Sequence, residues 1–225
     1  MQTKTKLKII LVFVFLVGIG FWVSMQQSNT SIAAQIDQNF LAIQKDLSKM
    51  IIENPEMASS SNPYDYIKDN KNFDNIVQLG DDALPIIAQK IKSSNDNGLN
   101  EYILAIAIER IAKVDLKKNG EGWTTAKEFS QVWSKHLRNI PNSVEQIVTS
   151  NQSDNLKMEN LINLGTPALP FIIDKVEQGN IELFPAVNIL IADNNINITS
   201  ITDPQEWIKQ NKEHFNNLRS LVINE

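Results

Sequence analysis

Apolar residues recur at spacings of three and four along most of the chain after its first thirty residues. In the segment 29–53 they are separated by Gln, Asp, Lys and Ser, which is the pattern of an amphipathic helix with one buried face. No run alternates apolar and polar positions convincingly enough to be a strand. The pattern therefore predicts an all-α protein.

One thirteen-residue string occurs twice, as LGDDALPIIAQKI and, 85 residues later, as LGTPALPFIIDKV, with seven identical positions. Gly80 and Gly165 each follow an amphipathic segment, and glycine tolerates the left-handed backbone that ends many helices. Pro85 and Pro170 suit the first turn of the next helix, where a missing N–H costs little. The string therefore predicts a helix–turn–helix corner whose shared residues all serve the fold.

The correspondence continues, with gaps, on both sides of the string. Asp81 and Thr166 are placed to cap the helix that follows each glycine. Downstream, GLNEYILAIAIERIAKVD matches GNIELFPAVNILIADN. The first of these is apolar on nearly every side over residues 103–108, which predicts a central buried helix. In its counterpart, Pro185 either interrupts the helix or starts it.

A third matched pair, TTAKEFSQVWSKHL and TDPQEWIKQNKEHF, contains both histidines of the chain. Thr125 with Glu128, and Asp203 with Glu206, have the spacing of capping boxes, in which two side chains satisfy helix N–H groups reciprocally. Two further helices, near 142–150 and 154–164, are predicted to link the copies.

Each copy thus has about four helices in 75–85 residues, or two helical hairpins that bury their apolar faces on the next hairpin. A Pro- and Ser-rich linker precedes the first copy, and Asn62-Pro63 is predicted to start its first helix. The predicted organisation is a basic segment 1–8, an apolar helix 9–25, an amphipathic stalk helix with linker 26–61, and copies at 62–141 and 142–225.

The LGxxALPxI corner followed by a second amphipathic helix resembles HEAT-type helical repeats. The ordered set NPYDYIKDN, LGDDALPII, EYILAIAIE and WTTAKEFSQVWSKHL is similar to membrane-anchored HEAT-like proteins of Gram-positive bacteria, a group without a characterised function. The resemblance covers residues 62–216 and implies a short α-solenoid. It brings no catalytic or ligand-binding residues. The long period and the helices between the copies depart from a regular HEAT array.

Three lysines, Lys4, Lys6 and Lys8, precede an apolar run over residues 9–23. Positive residues stay in the cytoplasm, so the chain beyond this run is predicted to lie outside. Fifteen helical residues reach about 22 Å, short of the roughly 30 Å hydrocarbon core, and flanking residues extend the run to a thin single span over 9–25. The alternative is a cleaved signal peptide, for which residues 31–33 offer a small-residue site. Cleavage would make the protein secreted.

Charge and composition exclude several classes of function. The net charge is −5, and residues 142–225 carry five basic against eleven acidic residues. Nucleic-acid binding requires clustered basic residues, so this charge distribution argues against it. The absence of cysteine excludes disulfides, thiolate metal sites and a Cys nucleophile. The sequence has no glycine-rich phosphate loop, no HExxH and no G-x-S-x-G. No cofactor and no metal is therefore predicted.

The matched Glu and His residues are the sharpest catalytic candidates. Glu128 and His136 lie eight residues apart on one predicted helix, about 12 Å along its axis, so they cannot share an ion. The structural interpretation is that Glu128 and Glu206 close capping boxes, while His136 and His214 lie in the last turns of their helices, where positive charge suits the helix dipole.

Aromatic residues offer a second set of candidates. Residues 64–66, Tyr-Asp-Tyr, form an exposed aromatic and acidic cluster, but helical spacing sends one tyrosine to the core, so packing is favoured over a ligand patch. A core position is likewise favoured over a sugar-binding platform for Trp123, Trp133 and Trp207.

Because every strong motif serves the fold, the sequence predicts a non-catalytic scaffold that binds a protein partner at the cell envelope. The alternative is an envelope hydrolase in which two carboxylates meet at about 5–10 Å in a cleft between hairpins. A third hypothesis is a purely structural stalk or spacer.

Overall fold

The structure, a computed structural model, describes residues 31–56, 60, 62–192 and 203–225. Within these ranges the regular structure is helical, without a β-strand, so the predicted all-α class is confirmed. The predicted membrane or signal helix at 9–25 lies outside the described residues. Among the residues that are described, no helix is both long and apolar enough to cross a membrane.

The helices follow one another in chain order and are joined by short connections. Helix α1 covers 31–53. The others are α2 Lys71–Val77, α3 Leu84–Ser93, α4 Leu99–Ala112, α5 Ala126–Thr149, α6 Asp154–Ile162, α7 Leu169–Glu177, α8 Phe184–Ile191, α9 Pro204–Asn211 and α10 Asn216–Ile223. Turns of 3₁₀-helix lie at Pro63–Tyr66, Asp81–Ala83, Thr166–Ala168, Ile181–Leu183 and Lys212–Phe215.

Helix α4 lies in the centre of the core. From Ile103 to Ile108 no residue is more than 4% exposed, and α2, α3 and α5 all pack against this helix. A helix that is apolar on every side has no face that favours water, so it is enclosed by its neighbours. The predicted central helix is therefore confirmed.

The amphipathic helix α1 packs on the rest of the protein. Ile36 and Ile43 are fully buried and belong to the main hydrophobic core. Lys90 of α3 also forms an ion pair with Asp37 of α1, and its Nζ lies 2.5 Å from Asp37 Oδ1. The apolar face that the spacing predicts is thus covered by the domain.

Helix α5 is one continuous helix of 24 residues, where the sequence predicted two. The predicted helix near 142–150 is its second half, and the predicted boundary between residues 141 and 142 falls inside it. Pro141 removes one backbone donor, which costs about 3 kcal/mol in a helix interior. Leu137, Ile140 and Val144 are buried around it. Their packing offsets the weak local propensity and carries the helix past the proline.

Two other prolines begin local structure instead of interrupting it. Asn62 Oδ1 accepts a hydrogen bond from the N–H of Tyr64 at 3.3 Å, but Pro63 opens a four-residue 3₁₀ turn and not the α-helix that was predicted. Pro185 is the second residue of α8, which decides between the two alternatives for that residue: it starts the helix.

The two corner glycines have positive φ but do not adopt the predicted left-handed helical conformation. Gly80 has φ 68° and ψ −161°, and Gly165 has φ 79° and ψ −178°. This region of the backbone map is open essentially to glycine alone. Each glycine leads into a short 3₁₀ turn and then into α3 or α7, whose second residue is Pro85 or Pro170.

The caps predicted at Asp81 and Thr166 are replaced by a bond between these two side chains. Thr166 Oγ1 donates to Asp81 Oδ1 at 2.5 Å. The residues that precede α3 and α7 are Ala83 and Ala168, which have no side chain able to cap. The hydroxyl and the carboxylate therefore connect the two corners instead of capping the helices that follow them.

Candidate functional site

The predicted capping pair at the start of α5 makes reciprocal hydrogen bonds. Glu128 N donates to Thr125 Oγ1 at 3.2 Å, and Thr125 N donates to Glu128 Oε2 at 3.2 Å. Hydrogen bonds from the side chain and backbone of Thr124 to the same carboxylate hold the pKa of Glu128 below its ordinary value. This glutamate has a structural role and does not face a cleft.

The matched pair at the start of α9 is only half of a capping box. Asp203 Oδ1 accepts hydrogen bonds from Gln205 N at 2.9 Å and from Glu206 N at 3.2 Å. Glu206 Oε1 instead accepts a hydrogen bond from Gln210 Nε2 at 2.8 Å, one turn further along the helix. Asp203 therefore caps α9, while Glu206 braces its exposed face.

The two histidines have different environments, and the last-turn prediction is wrong for His136. Because α5 continues to Thr149, His136 lies in its middle and is 5% exposed. Its Nδ1 is 3.1 Å from Glu121 Oε2, and its Nε2 is 3.0 Å from Leu164 O. His214 is exposed in the 3₁₀ turn Lys212–Phe215. In the part of the chain that the structure describes, no three His, Asp or Glu residues group as a metal site.

The aromatic residues divide as the sequence predicted. Tyr66 is 5% exposed and Tyr64 is 42% exposed, so one tyrosine of the pair enters the core. All three candidate tryptophans, at 123, 133 and 207, are no more than 8% exposed. Their core interpretation is confirmed.

One buried carboxylate was not singled out from the sequence. Glu109 of α4 is 9% exposed, and its Oε1 accepts from Trp123 Nε1 at 3.2 Å and from Leu116 N at 3.1 Å. Burial raises the pKa of Glu109, and the charge of Asp115 adds to the rise, while the two hydrogen bonds oppose it. The one signal in the sequence is that the preceding positions of α4 are apolar on every side, which makes an acidic residue at position 109 unusual.

Polar and aromatic groups gather beside Glu109. Lys117 Nζ donates to Tyr102 Oη at 2.8 Å and lies 4.1 Å from the centre of the Trp123 ring. Burial acts to lower the pKa of Lys117, but the hydrogen bond to Tyr102 and the nearby charges raise it overall. Burial also raises the pKa of Tyr64, helped by the charge of Glu109. Clusters of perturbed groups are common at functional sites, so this cluster is a candidate.

A cavity of about 330 Å³ adjoins this cluster and brings two acids together. Glu109 and Asp115 both line it, beside Arg110 and Lys118. Each acid already accepts a backbone hydrogen bond, from Leu116 N in the case of Glu109 and from Lys118 N at 2.9 Å in the case of Asp115. The pair is therefore arranged chiefly to hold the loop that follows α4.

A larger cleft lies between the first corner and α10, and we call it the corner groove. It consists of two cavities of about 440 Å³ and 690 Å³ that share Asp81, Asp82 and Asn217 in their linings. Asn217 Nδ2 donates to Asp82 Oδ1 at 2.7 Å, so this bond joins the corner to α10 where the cavities meet. Residues of α3 and α5 complete the first cavity, and the ends of α2 and α4 complete the second.

The first cavity is lined by several polar groups that have no hydrogen-bond partner among the described residues. Trp133 is 2% exposed, and its Nε1 has no hydrogen-bond acceptor among the described residues. Gln89, Ser130 and Ser220 also line this cavity, and their side chains make no hydrogen bond with the part of the chain that the structure covers. The Trp133 N–H is enclosed in the core, whereas Gln89 and Ser220 are exposed and can contact a second molecule.

Apolar and basic residues both line the second cavity, together with Asp81 and Asp82. Phe215 and Leu218 are each 3% exposed and line it from the α10 side. Arg110 and Lys113, at the end of α4, also line it. Sequence reasoning missed the groove because α10 and the first corner are about 135 residues apart in the chain.

The chain was compared with protein-family models, with curated proteins and with solved structures, and nothing in any of the three comparisons matches it.

Proposed function

We propose that this protein is a non-catalytic helical scaffold that binds a segment of a protein partner in the corner groove. The observation that carries the proposal is a cleft of two joined cavities in which the exposed side chains of Gln89 and Ser220 have no hydrogen-bond partner among the described residues. Concave sites with apolar linings and a few convergent polar groups are typical of binding.

The dimensions of the groove favour a peptide segment over a small ligand. Residues from His214 to Asn224 line it, about ten residues or roughly 15 Å of mostly helical chain. An extended chain covers about 3.3 Å per residue, so four or five residues match this length. Main-chain groups along such a segment are suitable hydrogen-bond partners for the side chains of Gln89 and Ser220.

The scaffold is proposed to be a short HEAT-like α-solenoid of two copies. Support comes from the matched order of α2, α3 and α4 with α6, α7 and α8. In both sets a glycine of positive φ, a 3₁₀ turn and a proline at the second helical position recur. The Asp81–Thr166 bond joins equivalent positions of the two strings.

The proposed location is the outer side of the cell membrane, with residues 9–25 as a single-pass anchor or, if cleaved, with the domain secreted. Its support is the sequence alone, three lysines ahead of an apolar run. Washed membranes are expected to retain the full-length chain, and external protease to digest it in intact protoplasts. Release of a chain that begins near Ala34 would instead identify a signal peptide.

Site-specific photo-crosslinking in living cells tests the binding proposal. A photoreactive amino acid replaces Ser220, which is exposed in the groove, and in a separate strain Asn151, which is exposed and lines neither cavity. We expect one protein partner to be captured reproducibly from position 220 and not from 151. No reproducible capture at 220, or the same capture at both positions, would refute a groove-bound partner.

A second function, an envelope hydrolase, is favoured only by the cavity that Glu109 shares with Asp115. Burial raises the pKa of Glu109, which favours the protonated carboxyl group that a proton donor requires. Purified protein incubated with isolated cell-wall glycan would then release fragments, and Glu109→Gln would reduce the rate at least 100-fold. If the wild-type protein releases nothing, this function is removed.

A further inference from the structure

Two of the three arginines in the chain stack on a phenylalanine ring, and one of them also binds an acid. The guanidinium carbon of Arg219 lies 5.1 Å from the centre of the Phe171 ring. Its Nη2 donates to Asp174 Oδ1 at 2.8 Å and to Pro170 O at 2.8 Å. The ring holds the flat face of this arginine, and the two oxygen atoms occupy its N–H edge.

Arg110 has the same stacking, but no acid in the described ranges pairs with it. Its guanidinium carbon lies 5.0 Å from the centre of the Phe73 ring, and Phe73 is fully buried, so the ring is held in place. Among the described residues, no carboxylate forms an ion pair with Arg110 and no acceptor receives a hydrogen bond from its side chain. At the wall of the groove, its N–H edge is therefore not engaged by any residue that the structure describes.

The two acids that line the second cavity with Arg110 accept hydrogen bonds from other residues. Asp82 accepts from Asn217 at 2.7 Å, and Asp81 accepts from Thr166 at 2.5 Å. An arginine presents five donors in a rigid planar fork that matches a carboxylate in a bidentate arrangement. Stacking on Phe73 fixes the orientation of that fork before a partner arrives, which lowers the entropy cost of binding.

We propose that Arg110 anchors the partner by binding the carboxylate of an Asp or Glu in the segment that occupies the corner groove. This inference rests on the proposed function and specifies the partner as an acidic segment. The acid lies in the second cavity against Arg110. The segment then passes Asn217 into the first cavity, where its backbone bonds to the exposed side chains of Gln89 and Ser220.

The partner captured from position 220 provides the first test. We expect the crosslinked segment to contain Asp or Glu within about five residues of the crosslink, since that is the extended length of the groove. In the same strain, Arg110→Gln is expected to reduce the yield of crosslinks at least tenfold. Arg110→Lys should also reduce it several-fold, because an ammonium group lacks the fork. Lys127→Gln is the control, since Lys127 is exposed, lines neither cavity and carries the same charge.

A synthetic peptide with the captured sequence provides the second test. Its acidic residue is replaced by Gln or Asn, and binding is measured by fluorescence anisotropy to wild-type protein and to Arg110→Gln, with circular dichroism to verify that the variant is folded. We expect the amide peptide to bind wild-type protein at least tenfold more weakly than the acidic peptide does. The two peptides should bind Arg110→Gln with nearly the same affinity, which is the coupling that a direct pair produces.

The outcomes separate the two proposals. A captured segment without an acid, or an amide peptide that binds wild type as tightly as the acidic one, overturns the role of Arg110 and leaves the scaffold in place. Failure to capture any partner at position 220 overturns the proposed function itself, and the Arg110 inference falls with it.

Discussion

Gly80 and Gly165 occupy equivalent positions in the two corner strings and have nearly the same backbone, yet their surroundings differ. A Cβ added at Gly80 would meet nothing within 4 Å. At Gly165 it would lie 2.4 Å from the carbonyl oxygen of Ala112 and 3.2 Å from the Cβ of Val114. The same string therefore forms an open turn beside the groove in one copy and a buried joint against the end of α4 in the other.

The positions at which the strings differ show the same division. Asp81 and Asp82 stand at the more open corner, where both line the groove. Their counterparts Thr166 and Pro167 are buried. A charged pair suits a corner in contact with water, whereas a buried corner requires small or apolar groups whose polar atoms are bonded. Residues that the two strings share thus indicate a shared backbone conformation, and residues that differ indicate a different environment of each corner.

The largest effect is expected from Gly165→Ala. The new methyl group overlaps the Ala112 carbonyl, and a positive φ with extended ψ is unfavourable for alanine. We expect a loss of at least about 4 kcal/mol in the free energy of unfolding, measured by urea denaturation. A loss no greater than that of the matched Gly80→Ala variant would contradict the assignment of a buried joint.

Thr166→Val comes next, because it removes the hydroxyl that connects the corners and retains the side-chain shape. A hydrogen bond to a charged acceptor contributes about 2 kcal/mol, so a loss of that size is expected in thermal or urea unfolding. A double-mutant cycle with Asp81→Ala isolates the pairwise contribution. Strictly additive losses would mean that the two corners are not coupled through this bond.

Gly80→Ala is expected to cost about 1 kcal/mol, the backbone strain alone, since there is space for the methyl group. The same unfolding assay provides the measurement. Partner capture from position 220 should persist in this variant, because its side chain adds little to the groove. An effect as large as that of Gly165→Ala would remove the distinction between an open and a buried corner.

The smallest effect, and one of opposite sign, concerns Glu109, which holds the end of α4 on which Gly165 packs. The pKa of Glu109 is raised in the folded state, so ionisation of this carboxyl group destabilises the fold. The protein therefore loses stability as the pH rises through the folded-state pKa. Gln keeps an acceptor oxygen for Trp123 and Leu116 and carries no charge. Glu109→Gln is expected to match or exceed wild-type stability by up to about 1 kcal/mol at pH 8, with the difference vanishing near pH 4. Lower stability of the variant at pH 8 would show that the charge itself is favourable.

Features that depend on a few neighbouring residues could be predicted from the sequence. The helical class, the burial of α4, the Thr125 cap and the need for glycine at the corners all result from periodicity, side-chain chemistry and backbone sterics. Even here the conformation of the glycines was predicted only in the sign of φ.

The candidate site was largely out of reach of the sequence, because its parts come from distant segments. His136 was assigned to a helix end, but packing around Pro141 extends α5 and places the ring between Glu121 and Leu164. Nothing near Asn217 in the sequence predicts that it contacts Asp82.

The chain by itself determined where helices form, which faces are apolar and which glycines and prolines turn the backbone, because these depend on interactions within a few residues. Tertiary structure alone decided which corner is buried, that Arg219 pairs with Asp174, and that a groove opens beside Asp82. Burial and juxtaposition arise from contacts between residues far apart in sequence, and two copies of one string become different wherever their neighbours differ.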